Sequence, residues 1–268
     1  MGGLTAVVRQ GRKDIMTKQV APAWAKAVYR LNTYLSQDLL GGPRIVPMAW
    51  VINLHKLLVI PVVALMMVRF DNYSPVAWTY LALHGSYGLC WLLKHAAFRD
   101  PRWEARVTLT GAAFTFALLA TYWVAPLLLI SDVVRHEQPA PASWYLALCV
   151  GVFTLGLTIM TASDCQKYFT LKAERRLIRE GMFKHVRHPN YLGEMMLYAA
   201  LALLVRHWFP WIVLAYWWLG VFLVNMLMME ASLSRYPEWP AYKARSGLVL
   251  PWGVFSRPDR TASVAPLG

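Results

Sequence analysis

The sequence is poor in charge and in cysteine. Only 15% of its 268 residues are Asp, Glu, Lys or Arg, against ~25% in ordinary soluble domains. Hydrophobic residues reach 57%, above the usual ~45–50%. Those apolar residues spread over most of the length, which excludes a disordered chain and a conventional soluble enzyme. Three Cys with no C-x-x-C exclude a disulfide scaffold, a zinc ribbon and a thioredoxin-like site. No G-x-G-x-x-G follows a strand-like run, and Walker A, G-x-S-x-G and H-E-x-x-H are all missing. Among the seven His, only His185-Val186-Arg187-His188 is clustered. That is too few for the His boxes of membrane di-iron enzymes, so no metal site is expected.

What is present is a series of apolar runs at 45–68, 72–93, 107–130, 142–163, 191–205 and 207–229. A spanning helix needs ~20 apolar residues. The pattern predicts an all-α, polytopic integral membrane protein with about six transmembrane helices. Lys and Arg alternate between the connections. One set carries 7, 3, 7 and 5, and the other carries one in each connection. The positive-inside rule then puts the N-terminus and the C-terminus in the cytosol. The net charge of +13 is mainly topogenic, and no nucleic-acid partner is expected.

Residues 1–44 lack the leading apolar stretch of a signal peptide. Within them Trp24, Val28, Leu31, Leu35 and Leu39 recur three or four apart, which predicts an amphipathic helix. Such a helix lies on the membrane surface or packs on the protein itself. Three transmembrane helices are expected in 45–141, a second transmembrane domain carrying the chemistry in 142–252, and a loose tail in 253–268. Trp252 reads as an interfacial anchor.

Polar residues concentrate between Asp164 and Glu194, together with Glu230. Glu194 lies inside an apolar run, where a carboxylate costs ~2.5–3.5 kcal/mol on insertion scales. It therefore needs a partner, a proton or a ligand. Asn190 is one turn away on the same face. Pro189 suits a first helical turn, so Arg187-His188-Pro189-Asn190 predicts a helix start whose free N–H groups favour an anion. Asp164, Gln166 and Lys167 close the fourth run, and Glu230 closes the sixth on the same side. Three helix ends thus bring polar groups to one depth. A charged cofactor can enter from the cytosol and a lipid from the bilayer. The second run adds His84 and Tyr87, either of which could polarise a carbonyl or serve in packing. Gly85 and Gly88 permit close helix approach. Lys56 and Lys94 have stems long enough to snorkel.

The run Gly181-Met182-Phe183-Lys184-His185-Val186-Arg187-His188-Pro189-Asn190-Tyr191-Leu192-Gly193-Glu194 resembles the C-terminal domain of the steroid 5-alpha-reductase-like membrane proteins. It is most similar to the branch reading R-H-P-N-Y-x-G-E. Asp164-Cys165-Gln166-Lys167, Met229-Glu230 and the segment from Tyr236 to Trp252 resemble the same branch. Sterol C14 reductases carry a similar run with an acid after the Gly, and isoprenylcysteine carboxyl methyltransferases carry R-H-P-x-Y without that Glu.

The resemblance implies a reductase using NADPH on a carbon–carbon double bond of a steroid-like or isoprenoid lipid. It implies that Asn190 and Glu194 meet the nicotinamide end, with Asp164 close by. Glu194, Tyr87 and His84 are the catalytic candidates. Asp164, Gln166, Lys167, Arg179, Arg187, His188, Asn190, Tyr191, Glu194, Glu230 and Tyr242 are the cofactor-binding candidates. The Glu/Tyr pair that polarises the ketone in 5-alpha-reductases has no evident match in the sequence. Two alternatives stand beside this reading. One is a lipid or isoprenoid methyltransferase using S-adenosylmethionine, with Arg187 and His188 on the donor's carboxylate and Glu230 facing its sulfonium. The other is a lipid-binding protein without catalysis. The expected location is the bacterial inner membrane or the endoplasmic reticulum.

Overall fold

The computed structural model describes residues 19–131 and 140–251. The tail at 253–268, Trp252 and most of the 131–141 connection lie outside the described residues.

The chain is built from helices, joined by one small antiparallel pair of strands. Helix α1 (Ala23–Thr33) precedes β1 (Val46–Pro47) and α2 (Met48–Arg69). Helix α3 (Pro75–Ala97) leads to β2 (Arg106–Val107). Then come α4 (Leu109–Ile130), α5 (Ser143–Ala173), α6 (Pro189–Val205), α7 (Phe209–Leu233) and α8 (Trp239–Arg245). β1 pairs with β2 through Val46–Val107, which ties the start of α2 to the start of α4.

Among the described residues, four helices (α2, α4, α5 and α7) are long and apolar enough to cross a membrane. The surface has the inverted pattern of a protein solvated by lipid. Trp50, Leu57, Leu65, Trp78, Leu93, Leu155 and Leu219 are exposed, while His55, Lys56, His84 and Glu230 are buried. Apolar side chains facing outward cost nothing in hydrocarbon, and polar ones are driven inward. The protein is an integral membrane protein of the all-α, polytopic class.

The other two expected spans differ in kind. Helix α3 is 23 residues long, but its inward face carries Tyr80, His84, Tyr87 and Trp91, all buried. Helix α6 has only 17 residues. It is the hub of the bundle, packed most heavily on α5 and also on α3, α4 and α7. Its neighbours cover it on most sides, so its shortness and its Glu194 are tolerated. Helix α5 runs past Asp164 to Ala173, where a loop from 164 was expected. Gln166, Lys167 and Lys172 are compatible with a helix, and charge alone does not end one.

Glycine sets the two closest approaches. A Cβ on Gly193 would lie 2.5 Å from the Gly156 carbonyl oxygen and from the Met160 nitrogen, so α5 and α6 meet backbone to backbone. A Cβ on Gly88 would lie 2.6 Å from the Lys56 carbonyl oxygen, which presses α3 against α2 beside that lysine. The tight turn expected after the fifth run is present. Arg206 takes φ 55° at the C-terminus of α6, and α7 begins at Phe209.

Helix α1 keeps Ala25 buried, and its Asn32 Nδ2 donates to the Gly220 carbonyl of α7 at 2.8 Å. Trp24 and Leu31 of its apolar stripe point away from the protein and are exposed. Helix α1 therefore packs on α7 with part of its apolar stripe turned outward.

Candidate functional site

The predicted residues fall into two places, a cleft where helix ends meet and a tightly packed inner cluster among the helices, termed the chamber below although the open space beside Tyr80, Tyr122 and Tyr198 is about 10 Å³.

The inner chamber starts from α6. Asn190, Glu194 and Tyr198 are spaced by four, so they share one face. Tyr87 of α3 donates its hydroxyl to Glu194 Oε1 at 3.0 Å. Lys56 of α2 donates to Tyr198 Oη at 2.9 Å. Lys56 Nζ also lies 4.0 Å from the centre of the Tyr87 ring, a cation–π contact. Tyr87 therefore touches both charged groups, Lys56 with its ring and Glu194 with its hydroxyl. Lys56 is only 4% exposed. The expectation that it snorkels is corrected, because Tyr198 and the ring of Tyr87 satisfy it inside. Lys94 does not snorkel either. Its Nζ meets Asp164 Oδ2 at 2.5 Å, so Asp164 is spent on a side-chain ion pair.

Aromatic rings wall the chamber. Tyr122 stacks on Tyr198 with centroids 4.1 Å apart and on Trp217 at 5.0 Å. His84 sits between Tyr80 and Tyr198, at 5.6 and 6.2 Å between centroids. It is fully buried, and neither ring nitrogen has a hydrogen-bond partner among the described residues.

The cleft is lined by Lys167, Arg176, Arg187, His188, Asn190, Met229, Arg235, Tyr236 and Tyr242, among others. Arg187 Nε donates to Glu230 Oε1 at 2.7 Å, and His188 Nε2 lies 3.2 Å from the same oxygen. Arg187 also bonds the Ser246 carbonyl. Burial holds His188 below the ordinary histidine range, outweighing the upward pull of Glu230. Tyr242 donates to the Phe183 carbonyl at 2.6 Å, and burial pushes its phenol up to about 12. A strap from the C-terminal segment crosses this end. Arg187 N–H donates to Gly247 and His188 N–H to Leu248, at 2.9 and 3.1 Å. Those two backbone donors, expected to be free for an anion, are taken. Of the basic side chains that line the cleft, Arg176 is paired with Glu180 and Arg187 with Glu230.

A bidentate pair borders the two regions. Arg102 Nη2 meets Asp100 Oδ2 at 2.5 Å, and Lys167 Nζ lies 3.9 Å from the same oxygen. Burial raises Asp100, but the Arg102 hydrogen bonds and charge overcome it and hold the carboxyl at about 2.

Three predicted residues stand apart from both regions. Gln166 uses its amide to accept from Met182 N–H and to donate to the Glu180 carbonyl, both at 2.9 Å. It clamps the turn at Gly181, whose φ of +58° suits glycine. Arg179 is exposed and bonds the Glu180 carboxylate through its backbone. Tyr191 is buried with its ring edge-on to Phe222, 5.0 Å between centroids.

Residues 39–246 match the family described as protein of unknown function (DUF1295). The chain belongs to that family. The matched range contains every element of the chamber and the cleft, apart from the last part of the strap. The chain is also 38% identical over 106 residues to an uncharacterized protein of Schizosaccharomyces pombe. That stretch is 39% of this chain and 36% of the yeast protein's own length.

Several residues of the site were not singled out by sequence reasoning. Tyr198 carried a usable signal, one further turn along the face of Asn190 and Glu194. Lys56 was singled out only as a side chain able to snorkel, not as part of the site. Tyr122, Trp217, Arg102, Arg176 and Arg235 carried none, since they join the site only through helix packing.

Proposed function

We propose that this protein is a membrane-embedded reductase that uses NADPH to saturate a carbon–carbon double bond of a lipid. One observation carries the reading. A cleft lined by Lys167, Arg176, Arg187 and Arg235, with no carboxylate among its lining residues, takes in Asn190 of α6, and one turn along the same face Glu194 is bonded to Tyr87. Asn190 lines the cleft, and Glu194 is one turn deeper, ~6 Å at 1.5 Å per residue.

The residues fit a polyanionic dinucleotide. The cleft measures about 170 Å³, less than the ~300–1,000 Å³ of closed ligand pockets, so a long ligand extends out over its open side. Lys167 and Arg235 would hold phosphate groups, while Arg176 is paired with Glu180. Asn190 and Glu194 would orient the nicotinamide end, in line with the resemblance to R-H-P-N-Y-x-G-E. The methyl-donor reading is less favoured, because Glu230 is engaged by Arg187 and His188 and does not line the cleft.

When bound, NADPH supplies a hydride. The chain's residues hold the lipid's double bond at the inner end of the cleft and exclude water by burial. In an enone that hydride would add at the β-carbon, and the double-bond electrons would move to the carbonyl oxygen. The proton that completes reduction at the α-carbon is held at Tyr87 Oη, which already donates to Glu194. The Tyr87–Glu194 couple thus supplies a Glu/Tyr pair that no pattern in the sequence displayed. We further place six spans in the bilayer, counting α3 and α6, with both termini in the cytosol. The cleft then faces the cytosolic cofactor pool of a bacterial inner membrane or an endoplasmic reticulum.

The test is calorimetric titration of the detergent-purified full chain with NADPH and, separately, S-adenosylmethionine. NADPH is expected to bind, with Asn190→Ala and Glu194→Gln each weakening it about tenfold or more, the scale of a lost charge-assisted hydrogen bond. Binding of S-adenosylmethionine alone, or of neither in folded protein, overturns the reading.

A further inference from the structure

Lys56 lies where a charge is hardest to keep. It is 4% exposed, on an almost uniformly apolar helix. Three aromatic rings surround its ammonium. Nζ is 4.0 Å from the centre of the Tyr87 ring, 5.5 Å from that of Trp91 and 5.6 Å from that of Tyr198. Ring faces attract a cation within about 6 Å and offer a neutral amine no comparable gain. The cage therefore suits the charged form of the lysine. Gly88, which lets α3 press on the Lys56 carbonyl, brings the Tyr87 ring into the contact. The open space beside Tyr198 is about 10 Å³, room for one water at most. Lys56 is thus placed to act on its neighbours and not on a ligand.

A buried cation needs an anion. Two carboxylates, Asp164 and Glu194, act on this part of the bundle. Lys94 takes Asp164 at 2.5 Å. Glu194 remains. Tyr87 lies between it and Lys56, with its ring on the ammonium and its hydroxyl donating to Glu194 Oε1 at 3.0 Å. The other ionisable groups acting on or near Glu194 are the phenols of Tyr122, Tyr191 and Tyr198 and the Lys94–Asp164 pair. None of these is a cation without its own carboxylate. Glu194 itself is half-buried. The sealed cation and the more accessible anion are two ends of one unit.

We propose that Lys56 and Glu194 form an ion pair bridged by the phenol of Tyr87, in which Lys56 holds Glu194 as a carboxylate and keeps the Tyr87 hydroxyl aimed at it. Lys56 is then a positioning residue, acting through Tyr87. Glu194 is an acceptor and not a source of protons. The pair rests on geometry alone, and its use in turnover rests on the reductase reading. There the Tyr87 O–H bond breaks, the substrate's electron pair takes the proton at the α-carbon, and the O–H electrons stay on Tyr87 Oη until water returns a proton. Without Lys56 that phenolate would face the Glu194 carboxylate, like charge to like charge. With it, a cation stands at the ring where the negative charge develops.

The test is infrared spectroscopy of the detergent-purified full chain, with glutamate 13C-labelled at its side-chain carboxyl. Wild type, Lys56→Met and Lys56→Arg are compared at neutral pH, and Glu194→Gln assigns the band. Wild-type Glu194 is expected to give a carboxylate band. In Lys56→Met it is expected to give the band of a carboxylic acid instead, and Lys56→Arg is expected to return most of the carboxylate. A purely structural role for Lys56 would not follow the charge in this way. A carboxylate that persists in folded Lys56→Met overturns the proposal. So does a wild-type acid band that Glu194→Gln removes, a comparison that decides even where Lys56→Met does not fold. Calorimetry with NADPH adds a second readout. Lys56→Met is expected to weaken binding about tenfold, as Glu194→Gln does, and the double variant no further, since both remove the same carboxylate charge. Losses that add in the double variant overturn the coupling. A Lys56-dependent carboxylate in a protein that binds no NADPH keeps the bridged pair and rejects the reductase. NADPH binding by a wild type whose Glu194 is an acid does the reverse.

Discussion

Replacing Gly193 with alanine should separate the two helices on which both regions depend. The added Cβ would lie 2.5 Å from the Gly156 oxygen and the Met160 nitrogen. Ordinary contact begins at 3.4 Å, so α5 and α6 must part by about 0.9 Å or tilt. Both obstacles are backbone, and neither can turn aside as a side chain would. Forced overpacking of this kind costs ~1–3 kcal/mol, offset in part by the ~1 kcal/mol helix preference of Ala over Gly. At ~2–4 °C per kcal/mol for chains of this size, the apparent melting midpoint should fall by several degrees. Gly151→Ala on the same α5 is the control, since its Cβ meets nothing within 4 Å, and it should be neutral or slightly stabilising. Both can be followed in detergent with a thiol-reactive dye that reports exposure of Cys149, buried in α5, in a Cys90→Ser, Cys165→Ser background that removes the two less buried thiols. Equal melting of the two variants would refute the backbone contact between α5 and α6. Asn190 and Glu194 ride on the displaced helix, so Gly193→Ala should also weaken NADPH binding, whereas Gly151→Ala should not.

Glu230→Ala should leave Arg187 and His188 buried without their carboxylate, at ~3–5 kcal/mol for breaking a buried ion pair. A melting midpoint within error of wild type would contradict the pairing. The Asp100–Arg102 pair predicts an acid limb of stability. Asp100 is held at about 2 against an ordinary 3.8, so the folded state binds its proton later than the unfolded chain does. The contribution is complete above about pH 4 and is lost as pH falls through about 2. After allowance for its 27% exposure, it is worth ~1 kcal/mol. Wild type should therefore lose more stability than Asp100→Asn between pH 5 and pH 2.5, measured as melting midpoints, and parallel profiles would argue against it.

The membrane class was legible because it rests on composition and run length, which need no tertiary knowledge. The start of α6 at Pro189, the turn at Arg206 and the face shared by Asn190 and Glu194 were legible too, because each is set by residues within a few positions. The reach of α5 to Ala173 was not, since the polar residues that suggested a loop are also good helix formers. Partner choice was the least legible. Glu230 and Arg187 are 43 positions apart, and Lys94 and Asp164 are 70 apart. Whether a charge faces a cleft or a counter-charge depends on how far each helix is rotated about its axis, and apolar periodicity is a weak guide where a helix is apolar all round. Gln166 illustrates the point. Its position beside Asp164 suggested a ligand contact, and its amide instead holds a turn.

The partner of Lys56 has a consequence for how the chain is made. Helix α2 is synthesised early, and Tyr198 arrives 142 residues later. During that interval the ammonium enters the bilayer with no acceptor from α6, at ~2.5–3.5 kcal/mol on insertion scales. The rest of α2, almost uniformly apolar, must carry that load. At ~5–20 residues per second, the wait lasts on the order of ten seconds. A further polar substitution in α2 should therefore be felt first as failed insertion, in newly made chains degraded before α6 emerges, and only later as lost stability of the finished protein.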